Sequence, residues 1–295
     1  MIRIVFINSE GKFNDNSYLL DGMLMNLQKF LSVYIIESKG ERLMIEVGEA
    51  IIARKLVKKL KDFGLYPIHK LLVTHSHWDH AQGISKFIQL IKDSSIEVLA
   101  SESGAYNLKH PEKTNEYYNY TTYPVEDVTP LKEGDIIDLN GLELEVVNFF
   151  GHTMDSIAIL DRQNQNIIVG DAIIDRLDED AFFTPPMPQD FNEQELLKTF
   201  EKLRSMRDEL NSISIAHFGV WKDDHFNQVL DEMEPLYHET KQSIIQWYTE
   251  NLSLEQISEK YCEKFMPNSK TWNAKLMRIL IEWMIDCLKM VGFIK

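Results

Sequence analysis

Four candidate metal ligands fall within six residues of this chain. They are His75, His77, Asp79 and His80, in the run Thr74-His75-Ser76-His77-Trp78-Asp79-His80. Imidazole nitrogens and carboxylates are suitable ligands for zinc, iron or manganese. On a strand such residues would alternate between faces, and on a helix they would spread around it. A tight loop, by contrast, can fan them into two neighbouring ligand sets. The preceding residues 69–73, His-Lys-Leu-Leu-Val, read as a short buried strand that runs straight into this loop. The run therefore calls for a fold in which several strands end at a common edge.

The rest of the chain supplies such strands. Residues 2–7, 31–37, 42–47, 96–100, 142–150, 156–161, 166–170 and 213–216 are short and apolar, and many are β-branched. Between them, residues 49–63 take helical spacing, with Ile52, Leu56, Leu60 and Phe63 on one face, until Gly64 and Pro67 stop them. Helical periodicity returns at 83–92 and 193–208. Alternating strands and helices give an α/β class. From about residue 224 the pattern is helical throughout, in segments near 224–249, 253–265 and 270–290. The expected organisation is a domain over residues 1–222 and a helical extension over 223–295.

Three more ligand types stand just past strand ends: His152 after Gly151, Asp171 after Gly170, and His217. Each alone is an ordinary histidine or turn residue. Jointly with the loop they make seven, at the edge where open α/β folds place their sites. Seven ligands are enough for two metal ions sharing one bridging carboxylate. The remaining His69, His110, His225 and His238 read as surface or core residues.

Charge narrows the function. With 46 acidic and 31 basic residues the formal net charge is −15, which disfavours nucleic acid and anionic membrane surfaces as partners. A small-molecule substrate is the expectation instead. The dense basic run Lys55 to Lys61 has helical spacing and reads as a solvated helix face. The two cysteines, Cys262 and Cys287, read as buried thiols. With no apparent signal peptide or 20-residue apolar span, the expected location is the cytoplasm.

The ordered set His75/His77/Asp79/His80, Gly151-His152-Thr153, Gly170-Asp171 and Ala216-His217-Phe218-Gly219 resembles the metallo-β-lactamase superfamily over about residues 1–222. The resemblance implies an αβ/βα sandwich of two mixed sheets flanked by helices. It implies two divalent transition-metal ions, zinc first, with iron or manganese as alternatives. His75, His77 and His152 would hold one ion, and Asp79, His80 and His217 the other. Asp171 would bridge, and Asp79 would also be the catalytic hydrogen-bond acceptor. The implied activity is hydrolysis of a small ester, thioester or lactone by a metal-bound hydroxide. The branch with glyoxalase II, acyl-homoserine lactonases and quinolone-signal response thioesterases shares the ligand set. The alternative is a regulatory or di-iron redox protein of the same fold with little turnover, although His77 stands where the oxygen-reducing branch commonly has glutamate. Glu46 stands where many relatives have an aspartate that supports the metal loop.

Two irregular aromatic stretches, 105–128 and 175–190, are too long for simple connections. Phe182, Phe183 and some of Tyr117 to Tyr123, Tyr123 among them, are expected to line an apolar pocket beside the metals. The extension, rich in Ile244, Trp247, Leu280, Ile281, Trp283 and Met284, either buries its apolar faces on the parent domain or forms a homodimer contact. Either arrangement could also supply part of the pocket.

Overall fold

The computed structural model describes residues 5–92, 95–173, 176–178 and 181–295, with residue 5 and residues 176–178 described by backbone alone. Residues 2–4 of the expected first strand, and 175, 179 and 180 of the second aromatic stretch, lie outside the described residues. The chain runs β1 (Val5–Ile7), β2 (Gly11–Lys12), β3 (Ser17–Asp21), β4 (Ser32–Ser38), β5 (Glu41–Ile45), α1 (Ala53–Asp62) and β6 (Lys70–Leu72). Next come α2 (Trp78–Ala81), α3 (Ile84–Leu90), β7 (Glu97–Ser101), α4 (Glu102–Lys109), α5 (Glu112–Tyr118) and β8 (Val128–Leu131). The second half holds β9 (Ile136–Leu139), β10 (Leu142–Asn148), β11 (Ile157–Asp161), β12 (Asn166–Ile168), β13 (Arg176–Asp178), β14 (Ala181–Phe182), α6 (Glu193–Ser205), β15 (Ser212–Ile215) and β16 (Gly219–Lys222). It closes with α7 (Asp224–Thr249), α8 (Leu254–Phe265) and α9 (Ala274–Met290).

Two mixed seven-stranded sheets form the centre, ordered β2-β3-β4-β5-β6-β7-β8 and β1-β16-β15-β12-β11-β10-β9. Strand alternation explains why both faces of each are apolar. In the first sheet Tyr34, Ile36, Leu43, Ile45 and Leu72 turn inward to meet Leu144, Val146, Ile157 and Ile159 of the second. The intervening Ile35, Met44 and Leu71 turn outward onto Leu56 and Leu60 of α1 and Ile84 and Phe87 of α3. On the far side Ala158, Leu160, Ile167 and Ile213 pack on Leu196, Phe200 and Leu203 of α6, and on Phe226, Val229, Leu230 and Tyr237 of α7. The result is the expected helix–sheet–sheet–helix sandwich.

Element edges follow local chemistry. Helix α6 is capped by Asn192, whose side chain accepts from the Glu195 N–H, and α8 opens with a Ser253/Gln256 capping box. The stretch 105–128 departs from expectation. Much of it is helical, as α4 and α5, with Ser101 capping the first and left-handed Asn119 closing the second. Both are short, and their polar and aromatic residues hide the helical period. The stretch 175–190 contains the β13/β14 hairpin. Strand β8 carries Pro130, which is tolerated because β8 is an edge strand.

The C-terminal helices pack onto the sandwich. Helix α7 covers the second sheet, while α8 and α9 join Leu24, Phe30, Trp78, Tyr118 and Phe183 in a separate apolar cluster. Among the described residues no helix is long and apolar enough to cross a membrane.

Candidate metal and substrate site

Strand polarity gathers the ligands. Strands β10, β12 and β15 run in the same direction, through the antiparallel β11 and the parallel β12/β15 pairing. Their C-terminal ends carry His152, Asp171 and His217, and the loop after β6 carries His75 to His80. The two sheets are joined at this edge. The Ile157 N–H donates to the Thr74 carbonyl at 2.9 Å, and the Ser32 N–H to the Ala216 carbonyl at 2.6 Å. Two glycines permit close approaches here, Gly170 to the ligand loop and Gly151 to α6. A side chain at Gly170 (φ +56°) would place its Cβ 2.3 Å from Thr74 Oγ1, and one at Gly151 (φ +130°) 2.3 Å from the Leu196 Cα.

All seven expected ligands come together, in two sets: His75, His77 and His152, and Asp79, His80, Asp171 and His217. Within each set the potential ligand atoms lie within 4.8 Å of one another. His152 Nε2 faces His77 Nδ1 at 3.0 Å. Asp171 Oδ2 stands between the sets, 3.2 Å from His217 Nε2, 3.4 Å from His80 Nε2 and 3.6 Å from His152 Nε2. Asp79 Oδ2 is 3.5 Å from His80 Nε2 and 3.6 Å from His217 Nε2.

The outer contacts fix which nitrogen points inward. His152 Nδ1 and His217 Nδ1 each lie 2.6 Å from a backbone carbonyl, of Pro185 and Phe30 respectively. A carbonyl only accepts, so each Nδ1 carries a proton and each Nε2 faces the site. Glu46 stands behind two others, hydrogen-bonded toward His75 through Thr74, while its second oxygen and His80 Nδ1 are buried without a hydrogen-bond partner. One carboxylate oxygen takes the Thr74 hydroxyl and N–H, so that hydroxyl is left to accept from His75 Nδ1 at 3.2 Å. The second oxygen lies 3.2 Å from His80 Nδ1. One carboxylate thus stands behind both histidines. His75 Nε2, His80 Nε2 and Asp171 Oδ1 are buried without a hydrogen-bond partner. Leaving such atoms orphaned is costly, and a divalent cation would satisfy all three. The donor set therefore fits divalent metal binding.

Electrostatics divides the cluster. Burial pushes the His75 pKa well below its ordinary value, helped by the neighbouring His80. Burial likewise lowers His77, and takes His152 down to about 4. These three are neutral, as a metal ligand must be. At His80 and His217 burial also acts downward, but the Asp171 and Asp79 carboxylates outweigh it and hold both above the ordinary range. Burial would raise Asp171, yet His217 and His80 hold it well below the carboxylate range. In this half a cation would replace protons.

A cavity of about 50 Å³ opens over the cluster. His77, Asp79, His152, Asp171 and His217 border it, and its walls are apolar: Leu24, Phe30, Trp78, Phe183, Met187 and Leu280 among them. Tyr118 and Trp283 also line it. The Tyr118 ring meets His77 at 5.7 Å and Trp283 at 5.1 Å, edge-on, so α5 and α9 meet above the site.

Of the aromatic expectations, Phe183 lines this cavity. Phe182 does not: its side chain packs on the C-terminal cluster, and its carbonyl accepts from the Tyr261 hydroxyl at 3.1 Å. Tyr123 is also corrected. It lies beyond the end of α5 and is 66% exposed, outside the lining. Tyr118 is the member of that stretch that turns inward. Leu280 and Trp283 lie one helical turn apart on α9. Their spacing is visible in the sequence, but nothing there says which helix covers the site. Asp155 was also missed. It is buried and accepts from the Ser76 N–H and from Asn107, both at 3.1 Å, which pins the ligand loop. The remaining histidines stand apart from both ligand sets.

The family model of the metallo-β-lactamase superfamily matches residues 29–217, and the chain belongs to that superfamily. Among curated proteins it is similar to the acyl-coenzyme A thioesterase MBLAC2 of Gallus gallus, 25% identical over 162 residues, which cover 49% of this chain and 58% of that one. It is also similar to a hydroxyacylglutathione hydrolase of Hahella chejuensis, 28% identical over 128 residues, covering 43% and 40%. These matches therefore span about half the length of each relative. The fold resembles that of a metallo-β-lactamase family protein from Thermus thermophilus, with a TM-score of 0.63, 17% identity and 88% of each chain covered.

Proposed function

We propose that this chain is a dinuclear metal-dependent hydrolase of an ester or thioester with a hydrophobic acyl part. The observation that carries this reading is a cluster of seven ligand groups, bordering a cavity whose walls are apolar. His75, His77 and His152 would hold one ion, Asp79, His80 and His217 the other, with Asp171 between them. Zinc is the first expectation, with iron or manganese as alternatives. Bound there, the two ions would acidify a water and polarise the substrate carbonyl.

The chain's own residues do the remainder. Asp79, at the cavity border, accepts a hydrogen bond from the attacking water and orients it. Tyr118, Phe183 and Trp283 hold the acyl part and exclude bulk water. The water oxygen bonds to the carbonyl carbon, the carbon–sulfur or carbon–oxygen bond breaks, and the leaving group takes the proton. The similarity to the acyl-coenzyme A thioesterase of Gallus gallus favours a thioester over a lactone.

The test is a turnover screen of metal-loaded protein with p-nitrophenyl esters, acyl thioesters and lactones of rising acyl length. Hydrolysis that improves with acyl length is expected. If every substrate is left intact, the hydrolase reading falls and a binding or regulatory role replaces it.

A further inference from the structure

A second cavity, of about 420 Å³, shares His77 with the first. Its lining is more polar. Among the described residues its lining holds no aliphatic side chain: Ser76 and Thr153 come from the ligand loops, Tyr106, Asn107 and His110 from α4 and its end, and Thr114 from α5. Two cavities of contrasting polarity thus meet at a residue of the ligand cluster. A substrate whose reacting carbonyl sits at that cluster has an apolar room for one part and a polar room for the other.

We infer that this second cavity binds the leaving-group half of the substrate, a neutral, amide-bearing thiol arm. The inference rests on the hydrolase reading above. Hydrogen-bonding side chains without aliphatic walls suit amides better than a hydrocarbon chain. The charges decide against an anionic arm. Glu112, Asp155 and Asp190 border the cavity with Lys113 as the lysine, and the Lys113 ammonium lies 3.5 Å from the Asp190 carboxylate. A phosphate would meet more like charge than opposite charge. Hydrolysis forms the carbon–oxygen bond and breaks the carbon–sulfur bond. The thiol, carrying a proton from the water, is left in the polar cavity while the acid remains in the apolar one.

Tyr106 and His110 are exposed and pack ring against ring at 4.7 Å on the cavity border. The double change Tyr106→Ala, His110→Ala removes that wall without touching the ligand loops. Its kinetics are to be measured on three compounds sharing one acyl chain: the pantetheine thioester, the coenzyme A thioester and the p-nitrophenyl ester. Binding of free pantetheine is followed by calorimetry. The expected result is a KM for the pantetheine thioester raised about five- to tenfold, with kcat within about twofold. That rise is absent for the ester, which has no arm, and free pantetheine binds more weakly by a similar factor. An equal change on ester and thioester would overturn the inference. So would a strong wild-type preference for coenzyme A over pantetheine that Lys113→Ala abolishes, because that marks a phosphate site. If the wild type hydrolyses none of the three, the hydrolase reading fails and calorimetry still decides. Pantetheine binding lost in the double variant supports the polar cavity, and no binding by the wild type overturns it.

Discussion

Asp171 carries the most consequence of any residue here. Its Oδ2 stands within 3.6 Å of three imidazole nitrogens drawn from both ligand sets, and its Oδ1 is buried without a partner. Asparagine keeps the shape but removes the charge that would balance two cations. Asp171→Asn is therefore expected to lose most of its metal and to lower kcat/KM by at least about 100-fold, beyond the 10–100-fold typical of groups that only orient a ligand. Metal analysis and kinetics on one preparation check both effects together. The ligands themselves were legible in the sequence, because strong ligand types stood at successive strand ends. The groups that aim them were only partly so. Glu46 was visible as a departure from the expected aspartate, whereas Asp155, the Pro185 carbonyl and the Phe30 carbonyl act through contacts that no local pattern encodes.

Helix α9 shows where sequence patterning stops at the scale of elements. Its apolar period marks it as a helix with a buried face, but not what that face covers. Met277, Ile281 and Met284 go to the C-terminal cluster, while Leu280 and Trp283 reach the cavity. Trp283→Ala is expected to remove ~1–2 kcal/mol of apolar contact with a long acyl chain, raising KM about tenfold with kcat little changed. An acyl-length series should show the penalty shrinking for acetyl substrates, and an equal penalty at every length would sink this assignment. The short α4 and α5 were hidden for a different reason. Their residues are polar and aromatic, so the helical period that revealed α1 and α7 is absent, and Tyr118 could not be distinguished from the exposed Tyr123.

At the scale of the whole molecule, the sandwich and the C-terminal helices share their apolar cores. Phe226, Val229, Leu230, Met233 and Tyr237 of α7 pack in one cluster with Ile213, Trp221 and Phe200. Each such side chain stabilises by roughly 1.5–3 kcal/mol on burial, against a usual total of about 5–15 kcal/mol. A chain ended at Lys222 is thus expected to lose its cooperative unfolding transition, which calorimetry or circular dichroism on heating would register. A sharp transition near that of the full chain would contradict the shared core. What the whole architecture builds toward is one edge where five histidines and two aspartates converge. The most direct measurement of that claim is the metal content of the full chain. It is stripped with a chelator, reloaded separately with zinc, iron and manganese, desalted and analysed for metal per chain. At least one of these metals is predicted to approach two equivalents, falling to one or fewer in Asp171→Asn. A maximum of one equivalent in the unaltered chain with every metal would contradict a two-ion site, and retention of none would contradict the metal centre itself.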